Sequence, residues 1–264
     1  FMSPAYERTS VILPTFNRAG FLIEALESLL AQTLPPAEII VADDGSSDDT
    51  PARMAAFCRT LDAARSATIR YVRKDNTGKA DTLNRMLGLV AHPLVWIVDD
   101  DDVATPRALE AMTHALSGQP EAGFAYGRYL RFTTDARTGR RRLRDCGHWR
   151  ETPDDLFFQA NLEDFFAHHP GLLVRRSAYA AVGPFSSAYA RSEDYEMLIR
   201  LADRFACRKT DEVVFLQRQH DGVRFGGLQA DARVQRWIDE QAALFGSIRK
   251  TWPLASYLPH AQRG

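Results

Sequence analysis

Residues Leu94 to Asp102 read LVWIVDDDD: five apolar residues, then four carboxylates, with no turn residue between them. An apolar run this short and this rich in β-branched and aromatic residues suits a strand covered on both faces of a parallel sheet. Its abrupt end in four like charges marks the point where the chain leaves the core. Working outward, the same alternation recurs. Ser10 to Leu13 is a short apolar run ending at Pro14. Phe21, Leu22, Ala25, Leu26, Leu29 and Leu30 follow at helical spacing, and Pro35-Pro36 breaks that helix. Glu38 to Ala42 (EIIVA) reads as a second strand, with Ser47 or Asp48 after it as a helix cap, and Thr68 to Val72 as a third. Leu83, Met86, Leu87 and Val90 mark a helix before the LVWIV strand, and Pro106 stands in the first turn of a helix carrying Leu109, Met112 and Leu116.

This βαβαβαβ series predicts an α/β fold: a Rossmann-like, mostly parallel open sheet flanked by helices, with right-handed crossovers. Beyond Phe124 the pattern is mixed. Phe124 to Phe132 and Arg140 to Arg144 read as a hairpin, Leu172 to Arg175 and Val213 to Leu216 as strands, and Tyr195 to Phe205 as a helix. Ala230 to Lys250 reads as an amphipathic helix with Val234, Trp237, Ile238, Phe245 and Ile248 on its apolar stripe. The expectation is one unit over 1–264, with 8–130 as a nucleotide-binding half, 131–225 as an acceptor and catalytic half, and 226–264 as a C-terminal helical extension.

Composition narrows the function classes. The 264 residues are 45% hydrophobic and 25% charged, ordinary globular values that argue against long disorder. Lys and Arg total 33 against 34 Asp and Glu, a balance that argues against a dedicated nucleic-acid binder. Three well-separated cysteines, Cys58, Cys146 and Cys207, give neither a disulfide framework nor a zinc site. No apolar run approaches the roughly 20 residues of a membrane span, and no signal-peptide pattern opens the chain. A cytoplasmic protein is expected, with membrane association confined to its surface.

In open α/β sheets ligands sit beyond the carboxyl ends of the strands. Thr15 and Asn17, Asp43 and Asp44, and Asp99 to Asp102 should therefore converge. Four adjacent carboxylates repel one another and call for a cation; carboxylate oxygens suit hard divalent ions, which bind through one or two carboxylates plus phosphate oxygens. The plainer alternative is a solvated acidic loop. Asp43-Asp44-Gly45-Ser46 is an Asx turn whose carboxylate can also accept from a uracil or guanine ring NH. Lys79, in Asn76-Thr77-Gly78-Lys79, can reach a pyrophosphate from a helix start. His220 follows a late strand and is either a surface residue or a ligand for Mn²⁺. For His168 and His169 the default is a solvent-facing or acceptor-side loop. Arg140, Arg141, Arg142 and Arg144 read as a solvated hairpin face, the alternative being a site for an anionic acceptor or an acidic membrane surface.

Taken together, six segments resemble the family-2 glycosyltransferases, which have the A-type nucleotide-sugar-binding (GT-A) fold. They are SVILPTFNR (Ser10 to Arg18), IIVADDGSSDDT (Ile39 to Thr50), NTGKADTLN (Asn76 to Asn84), VWIVDDDDVATP (Val95 to Pro106), GLLVRRSAYAAVGPF (Gly171 to Phe185) and SEDYEMLIRL (Ser192 to Leu201). The resemblance implies that Pro14, Thr15, Phe16 and Asn17 line the base and ribose pocket, and that Asp44 accepts from the base. It implies a DxD motif in which Asp101 and Asp99 hold Mn²⁺ or Mg²⁺, with Asp100 near the ribose and His220 beside the metal. Lys79 falls on the diphosphate side. Asp194, with Glu193 beside it, matches the acid that acts as general base. The QxxRW motif of processive members is absent.

The function so implied is inverting, metal-dependent, non-processive transfer of a sugar from a nucleotide diphosphate donor, a UDP-sugar first, to a saccharide or lipid-linked saccharide acceptor. Two rivals are a sugar-phosphate nucleotidyltransferase and a non-catalytic nucleotide-sugar-binding protein. The first should carry a Gly- and Lys/Arg-rich loop after strand one, which PTFNRAG lacks; the second needs no catalytic base.

Overall fold

The computed structural model describes residues 7–135, 137–189, 192–220 and 230–258. In its first half β1 (Thr9–Thr15), α1 (Ala19–Leu30), β2 (Glu38–Asp43), α2 (Thr50–Thr60), α3 (Ala63–Thr68), β3 (Ile69–Arg73), α4 (Lys79–Leu87) and β4 (Leu94–Ile97) follow one another. A two-residue β5 (Val103–Ala104) and α5 (Ala108–Leu116) complete it. The second half comprises β6 (Ala122–Thr134), β7 (Arg141–Asp145), α6 (Phe157–Glu163), β8 (Leu172–Arg175), α7 (Arg176–Val182), α8 (Glu193–Arg204), β9 (Ala206–Arg218) and α9 (Ala230–Thr251).

All nine strands form one sheet in the order β3-β2-β1-β4-β8-β6-β9-β5, with β7 paired to β6. The β3-β2-β1-β4 portion is parallel, as the alternating pattern requires. Past β4 the sheet is mixed: β8 runs antiparallel to β4 and β6, whereas β9 runs parallel to β6. Successive residues of a strand face opposite sides, and β1 shows it. Val11 and Leu13 join the cluster covered by α1 and α5, while Ile12 joins the one covered by α4, α6 and α8. Trp96 is fully buried in β4 and donates its indole N–H to Pro170 O at 2.8 Å, which ties the acidic strand to the segment before β8.

Several expectations need correction. Neither Ser47 nor Asp48 is the N-cap of α2: that residue is Asp49, whose side chain makes no cap bond, and Asp48 before it accepts from Thr50 N at 3.0 Å. Pro106 lies ahead of α5, outside its first turn. In α9 the buried apolar residues are Leu244 and Ile248, while Ile238 and Phe245 are exposed. Of the expected stripe, Ile248 is covered and Ile238 and Phe245 are not. The side chains of Val234 and Trp237 lie outside the described residues. Among the described residues, no helix is long and apolar enough to cross a membrane.

Candidate functional site

The carboxyl ends of β1, β2 and β4 bring the polar segments to one edge. The acidic run lies between two arginines. From the β1 side, Arg18 Nη1 stands 3.0 Å from Asp100 Oδ1 and 2.7 Å from Asp101 Oδ2, and Thr15 Oγ1 donates to Asp100 Oδ2 at 2.6 Å. Burial, eased by Arg18 and reinforced by the neighbouring Asp101 charge, pushes the Asp100 carboxyl up to about 6. From the end of β9, Arg218 donates its backbone N–H to Asp102 Oδ1 at 3.0 Å and its Nε–H to Asp101 O at 2.9 Å. It also pairs with Glu24 and stacks over the rings of Phe21 and Phe132. Two residues on, His220 Nε2 lies 3.0 Å from Asp101 Oδ2.

Asp101 and His220 are thus neighbours, although 119 positions separate them. A carboxylate and an imidazole nitrogen make a donor set suited to Mn²⁺, and a guanidinium already stands against Asp101 where a cation would. Among the described residues no three His, Cys, Asp or Glu side chains group as a closed metal site does. The pair fits a divalent ion that draws its remaining ligands from phosphate oxygens and water. Asp99 is turned elsewhere: its Oδ1 lies 2.7 Å from Lys79 Nζ.

Lys79 joins the acidic run to a second pair of acids. Its Nζ is 3.7 Å from Glu193 Oε1. Burial favours neutral Lys79, but Asp99, Glu193 and Asp194 outweigh it and raise its pKa. Glu193 and Asp194 occupy the first turn of α8, where the positive helix end favours anions. Glu193 is buried, its Oε2 has no hydrogen-bond partner among the described residues, and its pKa is raised by burial and by Asp194 against the pull of Lys79. Asp194 is only half-buried, and so is the more accessible acid of the two. Above this turn, α9 contributes Gln241, whose Nε2 donates to Ser192 Oγ at 2.6 Å.

The residues expected to line a nucleotide pocket gather around β2. Asn17 has a left-handed φ of 54°, and its Oδ1 accepts from Ser47 N at 2.7 Å and Asp48 N at 3.2 Å. This fixes the β1 loop against the β2 loop. Phe16 is 44% exposed, free to stack on a planar ligand, and Pro14 is buried within β1. Asp44 is buried; it accepts from Thr77 N at 3.0 Å and Gly78 N at 2.9 Å, and pairs with Lys74. Gly45 has φ +78°, and a Cβ there would lie 2.8 Å from Asn76 N.

Arg18, Lys74 and Arg218 were given no role on sequence grounds. Arg18 sits inside PTFNR and Arg218 inside QRQH, but residue type gives a charge and not its partner. His169 is a further correction: it is 2% exposed, its two nitrogens have no partner among the described residues, and burial lowers its pKa to about 4. It is no solvent-facing loop residue. The arginine hairpin is exposed along β7 as expected, with Arg141 paired to Glu24 and Arg142 to Asp135.

Known proteins resemble this chain in sequence and in fold. The PGL/p-HBAD biosynthesis glycosyltransferase of Mycobacterium bovis is 26% identical over 192 residues, 72% of this chain and 68% of that one. Glycosyltransferase GlyG of Streptococcus pneumoniae is 28% identical over 127 residues, 48% of this chain and 40% of that one. Other relatives are much longer: the chain spans 23% of an uncharacterized glycosyltransferase of Rickettsia felis, at 28% identity over 155 residues and 59% of this chain. Among solved structures, S. aureus TarS 1-349 in complex with UDP-GlcNAc superposes with a TM-score of 0.63 at 14% identity, covering 95% of this chain and 78% of that one. The mannosyltransferase PcManGT from Pyrobaculum calidifontis, in complex with GDP-Man and Mn²⁺, gives 0.60 at 18% identity, covering 96% and 78%. These likenesses fix the fold as GT-A. The sequence profile of glycosyl transferase family 2 matches residues 10–183, through the β1, β2 and acidic segments and on to the end of α7, and the chain belongs to that family.

Proposed function

We propose that this chain transfers a single sugar, with inversion, from a nucleotide diphosphate donor to an acceptor hydroxyl. The observation that carries the reading is the Lys79 bridge. One ammonium contacts Asp99, at the end of the acidic strand, and Glu193, beside Asp194. Donor side and acceptor side are thereby held within one side chain's reach. Asp194 takes the proton of the acceptor hydroxyl as its oxygen attacks the anomeric carbon. The bond from that carbon to the diphosphate breaks on the opposite face, so no enzyme nucleophile is needed. Asp44 and the Asn17 turn hold the base and ribose, with Phe16 against the base. Asp101 and His220 would hold Mn²⁺ or Mg²⁺, which supplies charge neutralisation to the departing diphosphate.

A UDP-sugar is the first choice of donor, and the acceptor is a saccharide or lipid-linked saccharide met in the cytoplasm or at a membrane surface. Support for the donor class comes from the nucleotide sugars bound by the two structural neighbours. The test is a panel of UDP-, dTDP- and GDP-sugars with Mn²⁺, followed by slow donor hydrolysis. Hydrolysis of one donor, lost in Asp101→Ala by about 10²–10³-fold, is the expected result. Pyrophosphate release from a nucleoside triphosphate plus a sugar phosphate would instead support the nucleotidyltransferase.

A further inference from the structure

The metal seat already holds a charge. Arg18 Nη1 lies between Asp100 Oδ1 and Asp101 Oδ2, at 3.0 and 2.7 Å, and only about a quarter of its side chain is exposed. Its Asp101 contact is to Oδ2, the same oxygen that His220 approaches. A divalent ion shared by Asp101 and His220 would meet this guanidinium at close range. Two cations at one carboxylate oxygen repel strongly where water is scarce.

We propose that Arg18 is the resident counter-cation of the metal seat. It neutralises Asp100 and Asp101 while no divalent ion is bound, and it must release Asp101 before one can enter. The inference rests on the reading of Asp101 and His220 as metal ligands.

The surroundings equip Arg18 for an exchange. Asp100 is fixed independently, by Thr15, and remains available to the guanidinium once Asp101 is given up. Asn17 turns the chain immediately before Arg18, and its bonds to Ser47 and Asp48 anchor the backbone there. The side chain can swing while its root stays put. The diphosphate of a nucleotide offers the freed guanidinium a second anion, matched to its fork of donors. Metal and nucleotide should therefore each favour the other's binding, by equal factors.

The experiment is a titration of Mn²⁺ into the full chain, read by the electron paramagnetic resonance of free Mn²⁺, with and without saturating UDP. Wild type, Arg18→Gln and Arg18→Lys are compared, and melting temperature checks that each is folded. Without UDP, Arg18→Gln should bind Mn²⁺ about tenfold or more tightly than wild type, because a competing positive charge is gone. Arg18→Lys, which keeps the charge but loses the fork, should fall between them and gives the answer if the Gln variant does not fold. UDP should tighten Mn²⁺ binding in wild type more than in Arg18→Gln. If wild type takes up Mn²⁺ and neither variant binds it more tightly, the counter-cation role is overturned and the metal site stands. If no protein takes up Mn²⁺ even with UDP, the metal reading itself falls, and this inference with it.

Discussion

Asp44 Oδ2 accepts the backbone N–H of Gly78 at 2.9 Å, across 34 positions of sequence. The end of β2 and the start of α4 are joined through that carboxylate. Asp44 therefore holds the loop that delivers Lys79, besides the base contact proposed for it. Asp44→Ala should weaken UDP binding by about 1–3 kcal/mol, the range for removing one partner of a charged hydrogen bond. It should also lower the melting temperature, since Lys74, Thr77 N and Gly78 N all lose an acceptor. Calorimetric titration with UDP and a thermal melt on one sample check both. Unchanged values would remove Asp44 from the pocket and from the loop.

Gly45 makes the same junction from the backbone side. Its φ of +78° disfavours any side chain, and a Cβ would meet Asn76 N at 2.8 Å and Lys74 O at 3.1 Å. Gly45→Ala should destabilise the fold by about 1–3 kcal/mol and weaken UDP, since the 74–78 loop must move. Chemical denaturation gives the first value. A variant as stable as wild type would mean that the loop yields freely.

Asp194 and Glu193 separate by burial, which makes their variants informative. Asp194→Asn should slow transfer by about 10²–10⁴-fold, the usual worth of a general base, with little change in melting temperature or UDP affinity. A normal rate per folded molecule would reduce Asp194 to a helix-end residue.

His169 sets an acid limit. Burial holds its folded-state pKa near 4, against about 6.5 for an unfolded histidine. The unfolded chain binds the proton first as pH falls, so this residue's contribution to stability is intact above about pH 6.5 and is lost between there and about 4. For one such group the loss at pH 5 is on the order of 2 kcal/mol. His169→Phe, which cannot titrate, should show a smaller difference in melting temperature between pH 7 and pH 5 than wild type does. Equal differences would mean that the imidazole takes up its proton without unfolding.

The parts of the fold legible in the sequence are those where burial alone decides. LVWIV, EIIVA and SVIL are buried on both faces, and no other element fits so short an apolar run. The strand β9 was legible only over Val213 to Leu216. Its Arg208-to-Glu212 stretch is polar and partly exposed; Arg208 and Lys209 pair with Ala125 and Tyr126 of β6, and the register shifts over Thr210 to Glu212 before pairing resumes at Val213. The helices α6 and α7 have seven residues each, too few for helical periodicity to declare itself. Among site residues, Asp44 and Asp99 to Asp102 stand out because each group follows a strand, whereas Glu193 and Asp194 open a helix and are singled out by the resemblance alone. Arg18, Lys74 and Arg218 do not stand out, since what matters is the acid each one meets, and tertiary structure sets that. In α9, Ile238 and Phe245 are exposed while Leu244 is buried, because periodicity marks a helix without saying which flank is covered.

The pairing of β9 with β6 has a consequence in time. Arg218 reaches Asp101 and Glu24 from 117 and 194 positions away, and His220 reaches Asp101 from 119. On the ribosome, at 5–20 residues per second, Asp101 precedes His220 by roughly 6–24 s. Throughout that interval the nascent chain carries its acidic loop without the histidine or the β9 arginine, but with Arg18 already made. A chain cut short before residue 218 would have the β1 and β2 turns but neither Arg218 nor His220 against the acidic loop, so that edge is completed only once residues 218–220 have been made.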